Sequence, residues 1–179
     1  MSARRIIGEG FIAGLIGAGT IAIWFLVMDT ILREPLFTPS MLGEAFFWSM
    51  QDPAAMDVTF QAVVAYTMVH VLAFLAIGVL AAFLACQIER LPSTLFIAVV
   101  FFAAFEFGFY VIVWIAASPI LGALAWWSVG VGNAIAAVGM GAFLWRKHPN
   151  LREALARHPL GAPVDESADA YHAQRRDQP

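Results

Sequence analysis

The sequence predicts an all-α fold, a four-helix transmembrane bundle with a short outer amphipathic helix and a disordered cytoplasmic tail. Three observations carry that prediction. Of 179 residues, 61% are hydrophobic and only 13% charged, whereas charged residues make up about a quarter of a soluble domain. The charges crowd into the first residues, one loop and the tail. The stretches between them exceed the roughly 20 apolar residues that a helix needs to cross a hydrocarbon core of about 30 Å. Four segments qualify, at about residues 6–32, 58–88, 91–117 and 119–145.

The first span follows Arg4 and Arg5 as a secretory signal would, but its apolar run exceeds the roughly 7–15 residues of a signal core and no small-x-small site closes it. It is expected to stay as a membrane helix. Gly10, Gly14 and Gly17 share a helical face with Ala18, and Ile21 ends that face. Small residues at this spacing let membrane helices approach closely, so a packing seam inside one bundle is expected rather than a homodimer contact. Gly130, Ala134, Ala137 and Gly141 suggest a similar seam on the fourth span.

After Arg33 comes the one substantial loop. Thr38 and Pro39 read as an N-cap and first helical position. Met41, Leu42, Ala45 and Phe46 then share a face, with Trp48 beside it, which predicts a short helix over about 39–49 lying on the outer surface or over the bundle. Asp52 and Pro53 give the next start signal, so the second helix is expected to begin ahead of the membrane. Glu89 to Pro92 form a tight inner turn and Ser118–Pro119 a tighter outer one. Short connections make antiparallel neighbours, which places spans two to four side by side with span one closing the group. Trp24, Trp48, Trp114, Trp126 and Trp127 gather toward the outer half and Trp145 marks the inner edge, as in interfacial aromatic belts. A surface helix over about 150–158, with Leu151, Ala154 and Leu155 on one face, completes a single domain of residues 1–158, and residues 159–179 are too polar and proline-rich to order.

Orientation follows from Lys and Arg. Arg4, Arg5, Arg90, Arg146, Lys147, Arg152, Arg157, Arg175 and Arg176 fall on one side of the spans and Arg33 alone on the other. The positive-inside rule makes the crowded side cytoplasmic, with both termini on the cytoplasmic side of an inner membrane. The lone Cys86 excludes an intramolecular disulfide. A net charge of −3 leaves no footprint for nucleic acid.

Ionisable groups at membrane depth cost about 2.5–3.5 kcal/mol on insertion scales and call for partners. His70 on span two and Glu106 on span three fall near the midplane, with Tyr66 and Tyr110 one turn further out. Asn133 and Thr20 share the central depth, and Gln61 and Asp29 extend polar character outward, Asp29 being expected in water or beside Arg33. Phe74, Ile77, Phe102 and Val99 are expected to plug the inner half. The ligand- or proton-binding candidates are therefore His70, Glu106, Tyr66, Tyr110, Asn133 and Asp29. A His70–Glu106 pair could pass a proton or hold a small polar or quinone-like ligand, and could equally fix helix register by a hydrogen bond. Two ligands do not fill a metal site, haem would need a second intramembrane histidine, and the methionines lack regular spacing, so neither metal nor cofactor is expected.

Leu36-Phe37-Thr38-Pro39-Ser40, His70, Phe105-Glu106, Trp126-Trp127-Ser128-Val129-Gly130-x-Gly132-Asn133 and Arg146-Lys147-His148-Pro149 together resemble bacterial four-span integral membrane proteins of no established function. The resemblance covers about residues 5–155 and implies an architecture without an activity. No nucleophile elbow, phosphate loop or complete metal-ligand set is present, so an enzyme is not the expectation. The favoured reading is a small accessory or assembly subunit, in the lipid bilayer with other membrane-protein subunits or as a homo-oligomer. The alternative is a stand-alone bundle that binds or passes a proton or small ligand through a polar column open outward. Reporter fusions after residues 50, 91, 118 and 160 should read outside, inside, outside, inside; any other order defeats this topology.

Overall fold

In lipid a chain satisfies its backbone N–H and C=O groups only as helix or closed barrel. The computed structural model takes the first course and is all-helical throughout the described residues, which are 2–49, 56–91, 94–116, 126–151 and 153. The side chains of Phe101, Phe105, Glu106, Phe109, Tyr110, residues 112–116 and Trp126 also lie outside the description. Five helices follow one another: α1 (Ala3–Leu32), α2 (Phe37–Trp48), α3 (Phe60–Arg90), α4 (Thr94–Ala116) and α5 (Trp126–Lys147). Among these, α1, α3 and α5 are long and apolar enough to cross a membrane. Their outward residues are as apolar as their inward ones: Ile31, Leu72 and Val138 are each more than 60% exposed. A surface of that kind needs an apolar solvent.

The order of packing differs from the expected one. Helix α1 does not close a group formed by the other three; it is the central element, lying against α3 and α5, while α4 touches the rest mainly through α3. Connection length fixes which helices are antiparallel neighbours, but small residues decide which backbones come closest. A Cβ added to Gly78 would land in the backbone of Gly10 and Gly14, and one added to Gly14 would meet the Phe74 carbonyl oxygen at 2.5 Å. The α1 seam is thus an intramolecular crossing against Gly78. Beyond it, Ala13, Ala82, Ala85, Met140 and Leu144 form a buried cluster joining α1, α3 and α5.

On α5 the seam falls on another face from the one expected. Val129, Gly132, Ala136, Met140 and Leu144 are buried, whereas Ala134 and Gly141 are exposed. Both stripes have helical spacing, and the buried one wins because it places Gly132 under the Trp24 ring, 2.8 Å from where a Cβ would stand. The Trp24 indole N–H donates to the Ser128 carbonyl at 2.9 Å, tying α1 to α5. Trp24 is therefore a packing residue.

Helix α3 begins at Phe60, not near Asp52–Pro53, because Thr59 caps it by accepting from the Ala62 N–H at 3.3 Å. Of the surface helix expected over about 150–158, residues 150, 151 and 153 are described and are helical, as is 149. Its remainder, the Ser118–Pro119 turn and the tail 159–179 lie outside the described residues.

Gly78→Ala should lower the melting temperature in detergent, by the equivalent of about 1–3 kcal/mol for overpacking. Gly141→Ala, with nothing within 4 Å of its Cβ, should leave it unchanged or raise it. Equal losses in both variants would refute the crossing.

Candidate functional site

The central candidates divide by element. On α3 the Tyr66, His70 and Phe74 rings stack at successive turns, with centroids 5.7 and 4.7 Å apart. His70 Nε2 lies 3.4 Å from the Ala18 carbonyl oxygen on α1. A carbonyl only accepts, so that nitrogen carries the proton in this contact. Thr20 spends its hydroxyl on its own helix, donating to the Ile16 carbonyl at 2.7 Å. Asn133 is half-buried on α5 and lines a cavity with Phe74. The Glu106 and Tyr110 side chains, and with them the expected His70–Glu106 pair, lie outside the described residues. Phe74, Ile77 and Phe102, expected to plug the inner half, instead line that cavity, of about 390 Å³. Small α5 residues such as Ala137 and Gly141 face them across it and cannot fill the space.

Asp29 belongs to a different layer. It is only 2% exposed, not hydrated, because the chain reverses just beyond it through Leu36 in the left-handed region at φ 67°. That reversal brings the start of α2 onto its carboxylate. Asp29 accepts from the Thr38 N–H at 2.7 Å and from the Thr38 hydroxyl at 2.6 Å. Thr38 is therefore capped and not itself the cap: α2 starts at Phe37 and takes its N-terminal acceptor from α1. A carboxylate there satisfies an otherwise unpaired donor and complements the positive helix end.

The same helix is fastened to α3. Ser40 Oγ accepts from the Thr59 N–H at 3.0 Å, and the Thr59 hydroxyl donates to Glu44 Oε1 at 2.9 Å. Gly43 lies against the backbone of Ala62, where any side chain would collide. Met41, Leu42 and Ala45 are buried as expected, but Phe46 is exposed, since Gly43 brings the backbone too near α3 for a phenyl ring to enter.

At the opposite end of the bundle lies a cluster that sequence reasoning missed. His148, just past α5, has a side chain 1% exposed. Its Nδ1 is 3.1 Å from Glu89 Oε1 at the end of α3, and its Nε2 is 3.2 Å from Glu9 Oε2 at the start of α1. The second contact has the separation of an ion pair without the alignment of a hydrogen bond. Arg5 Nε donates to the other Glu9 oxygen at 2.9 Å, and Arg5 Nη2 reaches the Lys147 carbonyl at 3.5 Å. His148 thus binds the ends of three helices. The missed signal was positional: Glu9, Glu89 and His148 stand at span ends on the same side, but a count of Lys and Arg alone passes over them.

Among the described residues no group of three His, Cys, Asp or Glu side chains is placed to hold a metal ion. In the Glu9–His148–Glu89 cluster the reason is plain, since the ring nitrogens point to opposite sides. Comparison with protein-family models, curated proteins and solved structures finds no match, so these clusters are read from their own geometry. What they do chemically is join helices: one layer holds α2 to α1 and α3, the other holds α1, α3 and the end of α5.

His148→Ala should destabilise the protein by about 2–3 kcal/mol, because it removes the ring that joins the Glu9 and Glu89 carboxylates. A cycle of Glu9→Gln against His148→Gln, read by unfolding in mixed micelles, should show coupling of about 1 kcal/mol or more. Additive effects would mean that the two residues do not interact.

Proposed function

We propose that the protein is a polytopic inner-membrane protein serving as a small accessory or assembly subunit of a larger membrane complex. In this reading α4, at 23 residues or about 35 Å of helix, is the fourth span. Helix α2 lies on the outer face, and the Glu9–His148–Glu89 cluster lies at the cytoplasmic face. The observation that supports it is how the polar side chains are used. Asp29, Thr38, Ser40, Glu44 and Thr59 at one end, and Arg5, Glu9, Glu89 and His148 at the other, all bind groups of their own chain. What is presented outward along the helices is apolar, and apolar side chains facing lipid are also those that face a neighbouring membrane helix. Such a molecule is a rigid piece of membrane surface.

The alternative, a bundle that binds or passes a proton or small ligand by itself, draws on one observation: His70 beside Tyr66 in the interior. The readings part on a single measurement. After extraction in a gentle detergent, native electrophoresis should show the protein comigrating with larger membrane proteins. A discrete monomer or homo-oligomer would refute the subunit reading and leave the alternative.

A further inference from the structure

The cavity between α3, α4 and α5 has no occupant from the described part of the chain, and its shape and rim point to one. Its volume is about 390 Å³, and its walls include Ala81 and Leu84 of α3, Phe102 of α4, and Ala137 and Gly141 of α5. Asn133, at one end, is the single polar residue in the lining. A water needs two to four polar partners to remain in a cavity, so the occupant is apolar. From Asn133 to Trp145, both in the lining, α5 rises about 18 Å, close to half of the roughly 30 Å hydrocarbon core. A partner helix crosses the whole core; an acyl chain of one leaflet ends where this cavity ends.

The rim supplies the other half of the argument. Trp145 lines the mouth, and the exposed Arg146 and Lys147 follow it, with exposed Arg90 at the end of α3. Glu9 is paired with Arg5, and the exposed Arg90, Arg146 and Lys147 outnumber Glu89 and Glu153 at this end, so cationic charge prevails along this edge. Basic edges between membrane helices recognise anionic headgroups, at about 1 kcal/mol per Lys or Arg. The geometry points to a binding site for an anionic phospholipid, one acyl chain in the cavity and the phosphate beside Arg146 and Lys147. The site rests on the helices being membrane spans and is independent of the subunit proposal, which is read by electrophoresis.

The test is native mass spectrometry of the delipidated full chain in detergent, offered phosphatidylglycerol or phosphatidylcholine with the same acyl chains. One phosphatidylglycerol should be retained per chain, and it should be preferred. The Arg146→Gln/Lys147→Gln variant should still retain lipid but lose about 5–30-fold of that preference. Ala137→Trp and Gly141→Leu, which fill the cavity from α5, should lose the lipid while keeping helical circular dichroism; having two such variants guards against one that fails to fold. Equal retention of both lipids by the natural chain would overturn the proposal. So would undiminished retention in folded cavity-filled variants, or glycerol phosphate binding as tightly as the lipid, which would indicate a phosphate site without an acyl chain.

Discussion

Where α1 crosses α3, neither Gly10, Gly14 nor Gly78 has room for a single added carbon, and the rest of the molecule depends on that contact. Hydrophobic burial does not drive helices together in a solvent as apolar as their side chains; close van der Waals approach does. The crossing also sets what can meet at each end. It aligns α1 and α3 so that Glu9 reaches the same imidazole as Glu89, His70 reaches the Ala18 carbonyl, and α2, held to α1 by Asp29, meets Thr59 at the start of α3. A crossing one turn away would break all of these together.

Among the described residues the contacts of charged side chains sit at the two ends, because the environment changes there. Interhelical hydrogen bonds within membranes average only about 0.6 kcal/mol, rising to about 1–2 in model peptides, so the bundle gains little from polar pairs in its middle. At the ends, helix termini bring unpaired backbone groups, and charged side chains are close enough to water to be held cheaply. The Glu9 and Glu89 side chains keep 11% and 13% of their exposure, which lessens the cost of desolvating them around a fully enclosed ring.

Much of the architecture was legible because apolar length and small-residue spacing are local properties. The α1 seam, the existence of α2 and the long apolar helices all follow from windows of the sequence. What was not legible depends on relations between elements. Two stripes of small residues compete on α5, and only the indole of Trp24, on another helix, decides between them. Thr38 carries the chemistry of a cap, yet the acceptor that starts its helix comes from Asp29, nine residues earlier. His148 was passed over because nothing nearby in sequence reveals the carboxylates from two other helices that enclose it. The candidate site was harder still: the described partner of His70 is a backbone carbonyl on α1, which no residue pattern can announce.

The Asp29 cap has a consequence for the order in which the protein comes together. Helix α2 has 12 residues, at the lower limit of the roughly 12–15 that hold as an isolated helix even in favourable sequences. Its first-turn acceptor lies on α1, and the partners of Ser40 and Glu44 lie at the start of α3. Its folding is therefore conditional on two neighbours already being in place. That makes it a late piece of the assembly, whose helicity reports that α1 and α3 have met.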